Sequence, residues 1–148
     1  MTIMTQADAN KGVVTRFVDE FWSGGNLDAA DALMTSDVVI HEPAVGGREE
    51  LKAFATALRT AFPDWHSTVE EILVDGDRVA ERWTGRGTHR GAFQGIPPTG
   101  KRVAVPGVVF YRLVDGQIAE FRGWFDRMSL WQQLGVIAPA PGQAAVTA

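Results

Sequence analysis

Cysteine is absent from the 148 residues, which excludes disulfides, thiolate nucleophiles and sulfur-ligated zinc or iron. A surplus of cations is also missing. The formal net charge is -4 and the isoelectric point is near 5.3, whereas binding to phosphate backbones draws on clustered Lys and Arg, so nucleic acid is not an expected partner. Long apolar runs are lacking too. No window approaches the ~18 apolar residues of a membrane span, and Met1–Asn10 lacks the positive cluster and apolar stretch of a secretion signal. No membrane partner is expected, and the expected location is the cytoplasm. His41, His66 and His89 lie too far apart for the i, i+3 or i, i+4 spacing of a helical metal site. No metal and no cofactor is expected.

What is present is an ordinary globular composition, 45% apolar and 22% charged, which is enough to bury one core in a chain of this length. Residues 1–135 read as one domain. Residues 136–148 read as a flexible tail, in which Pro139–Ala148, rich in Ala, Pro and Gly, has nothing large to bury. Val13, Val14, Phe17, Val18, Phe21 and Trp22 recur at helical spacing until Gly24 and Gly25. Asn26 is placed to cap a second helix reaching Met34. Val38–Glu42 reads as a short strand, and Leu51, Phe54, Ala55, Leu58 and Phe62 mark a third helix ended by Pro63.

From Trp65 onward the apolar period becomes two. Residues 66–74 and 78–88 flank Asp75-Gly76-Asp77, and residues 101–114 and 117–125 flank Asp115-Gly116. Asp-Gly supplies the positive φ of tight hairpins, so two long hairpins are expected, followed by a short helix over 128–134. Three helices before four long strands predict an α+β fold with helices on one face of an antiparallel sheet. Glu81, Trp83 and His89 share one strand parity, and Ala80, Arg82 and Thr84 share the other. Val103, Val105 and Val109 likewise oppose Val108 and Phe110. Both faces therefore carry bulky apolar residues while the helices can cover one, which predicts a homodimer through the sheet.

Gly95, Gly100 and Lys101 match the spacing of a phosphate-binding loop. Arg102 stands where Ser or Thr is needed, however, and the segment joins two strands, so it reads as a wide hairpin loop at a pocket mouth. Asp126 is the leading catalytic candidate. Phe121, Trp124, Phe125, Met128 and Trp131 surround it in sequence, and an apolar setting disfavours the ionised carboxylate, so its pKa is expected to rise into the range of a useful base. The same residue can simply cap the last helix. His89, at the end of a strand that would line the pocket, is the second catalytic candidate. Phe62, Trp65, Trp83 and Phe93 are expected to wall the substrate. His41, Arg82, Phe110, Arg122 and Trp124 complete the expected substrate-binding set.

Gly87-Thr88-His89, Phe93-Gln94-Gly95-Ile96-Pro97-Pro98-Thr99-Gly100-Lys101, and Asp126 with Gln133-Leu134-Gly135 after it resemble the SnoaL-like polyketide cyclases, in the same element order from the first helix to Gly135. The resemblance implies the cone-shaped α+β barrel shared with ketosteroid isomerase, with paired subunits and a deep apolar pocket. It also implies that an aspartate at the position of Asp126 serves as acid and base in a cofactor-free intramolecular aldol closure. The expected substrate is a small apolar or aromatic carbonyl compound. Many relatives carry an aromatic residue where Arg122 stands, so a cation near the carboxylate, opposing the effect of burial, is expected here. Limonene-epoxide-hydrolase-like enzymes share the cone, but Arg82-Trp83-Thr84 lacks the aspartate of their Arg-x-Asp. The family also includes hydroxylase-like and ligand-binding members, so the fold alone does not fix the reaction.

Overall fold

The computed structural model describes residues 3–138. Of the expected tail over 136–148, residues 139–148 lie outside them, while the Val136 amide donates to the Trp131 carbonyl at 2.9 Å. Helix α1 (Gln6–Phe17) begins with a capping box, in which Thr5 Oγ1 accepts from the Asp8 amide at 3.0 Å and the Asp8 carboxylate accepts from the Thr5 amide at 3.2 Å. It runs without a break into a π-helical segment, Val18–Ser23. The helical run then stops at Gly25, whose φ of +69° favours glycine.

Helix α2 spans Asp28–Leu33, and Asn26 does accept from a first-turn amide, that of Asp28, at 3.1 Å. Met34 is already extended and opens strand β1 (Met34–Glu42), four residues before the expected start. Thr35, Ser36 and Asp37 carry no apolar alternation, so the pattern that marks a strand was not there to read. Helix α3 (Arg48–Ala61) follows, then strands β2 (His66–Asp75), β3 (Arg78–Thr88), β4 (Arg102–Val114) and β5 (Gln117–Phe125), and helix α4 (Arg127–Gln133). The β4–β5 turn holds Asp115 at φ 49° and Gly116 at φ 77°, the paired positive φ that the Asp-Gly signal predicted.

The five strands form one sheet in the order β1-β5-β4-β3-β2. The hairpins are antiparallel as expected, but β1 lies parallel to β5, so the sheet is mixed rather than purely antiparallel. Bulges in the β1–β5, β2–β3 and β4–β5 pairings bend the strands. The inner face presents Val79, Glu81, Val103, Val105, Val109, Tyr111 and Phe121, all buried.

Two packed clusters lie between this face and the helices. One centres on Phe17, Phe21, Met34, Ile40, Leu51, Tyr111 and Phe121, and the other on Leu58, Phe62, Trp65, Phe93, Val103 and Leu130. Trp22 and Trp83 touch both, at the seam where the cavity opens.

Candidate active site

The cavity is walled on the helix side by Val18 and Trp22 of the π-helical segment and by Phe54 and Leu58 of α3. Phe62 and Trp65, on the link from α3 to β2, close one flank, with Phe93 and Leu130 beside them. The sheet contributes Ser67, Glu81, Trp83, Val105, Val109, Phe121 and the stretch Gly123–Phe125. The rings meet edge to face: Trp22 and Phe54 at 6.3 Å between centroids, Phe62 and Trp65 at 5.8 Å, Trp65 and Trp83 at 6.4 Å. The space between them is about 50 Å³, room for a few waters. A fused-ring ligand has to part these rings to enter.

Glycine makes the ring arrangement possible at two points. A Cβ on Gly85 would lie 2.1 Å from Trp65 Cζ2, and one on Gly107 would lie 2.2 Å from Trp83 Cζ2. Each indole therefore rests on bare backbone of a strand. Trp65 is further fixed by its indole N–H, which donates to Ser67 Oγ at 3.0 Å.

Glu81 is the one carboxylate in the cavity lining, and it is buried. It sits on β3 opposite Ile72 of β2 and Val109 of β4. The buried Tyr111 hydroxyl donates to its Oε1 at 2.5 Å, and Oε2 has no hydrogen-bond partner among the described residues. Burial lifts the Glu81 pKa to about 7, with the Tyr111 hydrogen bond working against the rise. Tyr111 in turn is pushed well above its ordinary value by burial and by the neighbouring carboxylate. The sequence reading gave Glu81 the same strand parity as Trp83 but assigned it no chemistry. The available signal was a lone carboxylate at the inward parity of a central strand, between Val79 and Trp83.

The expected site residues separate into groups. Phe62, Trp65, Trp83 and Phe93 do wall the cavity. Trp124 borders it through the Gly123–Phe125 stretch, but its ring stacks edge to face on Phe110 at 6.2 Å, on the outer face. Phe110, Arg82 and Arg122 lie on that outer face, away from the cavity, because a strand sends alternate side chains to opposite sides. Arg82 pairs with Glu71 at 3.5 Å, and Arg122 lies 3.9 Å from Glu120. His41 also points outward and pairs with Glu120 at 3.3 Å. The His41 ring at that distance, with Arg122 nearby, holds the Glu120 carboxyl below its usual range against an opposing effect of burial. The cation expected beside Asp126 is thus engaged elsewhere.

Asp126 is exposed, so the apolar surroundings expected for it are absent. The aromatic residues near it in sequence divide between two faces: Phe121 turns into the core, while Trp124 and Met128 face outward. Asp126 caps α4, its Oδ1 accepting from the Ser129 amide at 2.9 Å. It stands directly after the lining residue Phe125 but is not itself among the lining residues.

His89 is fully buried but is not among the lining residues, and its ring stacks on the outer side of Phe62 at 5.2 Å. Its Nδ1 accepts from the Thr99 amide at 3.2 Å and lies 3.0 Å from the Thr99 hydroxyl, which leaves the proton on Nε2. Burial lowers its pKa, partly offset by the Gly91 backbone, so a neutral ring is favoured. The preceding residue is pinned by Asp64, whose carboxylate accepts from the Thr88 amide at 2.7 Å and the Thr88 hydroxyl at 2.8 Å. Those bonds, the amide first, hold Asp64 below its usual range. The Gly-Thr-His segment therefore clamps the loop from Gly95 to Lys101 in place; no helix follows that loop, as a phosphate-binding loop would need.

Among the described residues, no group of three His, Asp or Glu is placed to hold a metal ion, and no helix is long and apolar enough to cross a membrane.

Helices laid over the concave side of a bent sheet, with a ring-lined hollow between them, define the cone class of small-molecule α+β proteins. The family profile described as SnoaL-like polyketide cyclase matches residues 12–134, and the chain belongs to that family. It is 30% identical over 135 residues to the aklanonic acid methyl ester cyclase of Streptomyces peucetius, covering 87% of this chain and 92% of that one. A crystal structure of a protein from Jannaschia sp. CCS1, assigned as a SnoaL-like polyketide cyclase, superimposes with a TM-score of 0.80 at 30% identity, over 94% of this chain and 99% of that one. AclR of Streptomyces galilaeus, assigned as a hydroxylase, gives 0.84 at 28% identity, over 93% and 91%.

Proposed function

We propose that the chain is a cofactor-independent cyclase that closes a ring in a small polycyclic or polyketide-like carbonyl compound by intramolecular aldol addition. The observation that carries this reading is the ring-lined cavity with a buried carboxylate in its wall, in a member of a cyclase family. Flat aromatic walls suit a flat conjugated ligand, which spreads the enolate charge over its own rings and so needs little help from the protein. Asp126, next in sequence to the lining residue Phe125 and with Oδ1 committed to the cap, offers Oδ2 as the base at the carbon beside a carbonyl. The new carbon–carbon bond leaves an alkoxide, which takes up a proton. No mass is gained or lost.

Aklanonic acid methyl ester is the first compound to try. Turnover is expected as a product of unchanged mass and altered retention on chromatography. Asp126→Asn keeps the cap but removes the base, and a fall in kcat of about 100-fold or more is expected if it abstracts the proton. Saturable binding of the ester with no product from the wild-type chain would make the protein a binder rather than an enzyme.

The outer face of the sheet supports a homodimer. Phe110 is 53% and Trp124 44% exposed, stacked on each other and flanked by Arg82, Arg122, Glu71 and Glu120, a mixed-charge border that a two-fold axis can make self-complementary. Sedimentation is expected to show a dimer for the wild type and a monomer for Phe110→Asp; a wild-type monomer at micromolar concentration would remove the proposal.

A further inference from the structure

Resting on that cyclase reading, we infer that Glu81 is a second catalytic acid–base residue, donating a proton from Oε2 to the ligand oxygen that becomes a hydroxyl, with Tyr111 as the residue that positions it. The placement is specific. Glu81 is buried, faces the cavity from the middle of β3, and has one oxygen held by Tyr111 and the other without a partner. Neither the π-helical segment nor α3, β2, β4, β5 or α4 adds another titratable side chain to the cavity lining. Tyr111, at 2.5 Å, is the titratable group in direct contact with it.

A buried carboxyl costs stability unless something returns the favour. Here the fold keeps one in a ring-walled hollow where valine or leucine would pack. Its pKa of about 7 populates acid and carboxylate comparably at neutral pH, the condition in which one group can both give and take a proton.

Register sets its relation to Asp126. Glu81 lies opposite Val109, whereas the Asp126 amide donates to Pro106 at 2.9 Å, so their backbone positions are offset by three residues of β4, about 10 Å along the strand. A fused-ring ligand can lie between them. The step balances without a co-reactant: the Asp126 carboxylate takes the proton from carbon, the enolate carbon bonds to the electrophilic carbonyl carbon, and the π pair of that carbonyl goes to oxygen. Glu81 delivers the proton that oxygen needs. Asp126 then loses its proton to bulk water, and the Glu81 carboxylate is reprotonated from water.

Glu81→Gln preserves shape and can still accept from Tyr111, and Tyr111→Phe removes the positioning hydroxyl alone. Two readouts separate this inference from the cyclase reading. The first is turnover of aklanonic acid methyl ester. The second is deuterium uptake from D₂O beside the carbonyl of 2-tetralone, a flat two-ring ketone whose own oxygen becomes the enol hydroxyl and so takes the proton from Glu81, followed by mass spectrometry above the buffer background.

Glu81→Gln is expected to lower both at least about 100-fold. Tyr111→Phe is expected to lower activity less than Glu81→Gln does and to move the loss of rate at high pH, set near 7 by the need for the acid form, to higher pH, because the removed hydrogen bond had favoured the carboxylate. If the ester is not cyclised but 2-tetralone exchanges and Glu81→Gln abolishes it, the substrate reading fails and Glu81 stands. Should Glu81→Gln retain wild-type exchange, or should the wild type give none, the role of Glu81 is overturned whatever the ester does. If Glu81→Gln does not fold, an unmoved pH profile in Tyr111→Phe overturns it equally.

Discussion

Gly85→Val is expected to lower stability by about 3 kcal/mol or more and the melting temperature by roughly 6–12 °C for a domain of this size. The first added carbon would sit 2.1 Å from Trp65 Cζ2 and 2.5 Å from Cη2, well inside contact distance, before the two methyl groups are counted. The indole has little freedom to retreat. It is 6% exposed, it meets Phe62 and Trp83 edge to face, and its N–H is bound to Ser67. Its remaining route is into the cavity, so ligand binding should be lost along with stability. Gly12→Ala is the matched control: nothing lies within 4 Å of the new carbon and the site is inside α1, so a gain of up to about 1 kcal/mol is expected. Calorimetry on both variants checks the pair, and an unchanged melting temperature for Gly85→Val would show that Trp65 does not lie as described.

Stability should also fall as pH rises, and Glu81 should be responsible for much of the slope. Its folded pKa of about 7 lies above the ordinary value of 4.5, so between these limits the folded chain holds a proton that the unfolded chain has released. Stability contributed by the protonated form is complete below about pH 4.5 and is lost as pH passes through 7. The gap corresponds to about 3 kcal/mol. Glu81→Gln cannot ionise. Its melting temperature relative to wild type should therefore climb by roughly 6–12 °C between pH 4.5 and pH 8. Asp8, Asp31, Asp64 and Glu120, all held low by their partners, act in the opposite direction at acid pH but cancel in the comparison. A variant difference that stays constant with pH would mean that Glu81 does not titrate near neutrality.

Local signals in the chain predicted the elements well where the physics is local. Asp115-Gly116 marked its turn because positive φ is a property of two residues, and Gly25 marked the end of a helical run for the same reason. Strand parity correctly sorted Trp83 from Arg82 and Val109 from Phe110. The partial failure was at the site. Asp126 was judged by its sequence neighbours, but Phe121 and Trp124 on β5 point to opposite faces while Met128 and Trp131 belong to α4, so a crowd of apolar side chains in sequence became no crowd in space. Glu81 was passed over for the converse reason: nothing beside it in sequence hints at Tyr111, thirty residues on, which meets it only once β3 and β4 pair. The parallel placement of β1 was invisible too, since it depends on where the chain returns rather than on any residue within the strand.

That edge strand shapes how the molecule must assemble. β1 finds its backbone partners in β5, some eighty residues further along the chain. During synthesis, Met34 and Val39 emerge early and wait for Ile118 and Glu120 until almost the whole domain has left the ribosome, while Ile40 can already exchange backbone hydrogen bonds with Gly46. Pairings of such long sequence separation are slow to form, because the intervening loop must be closed before any contact rewards it. The first strand made is thus among the last to be secured.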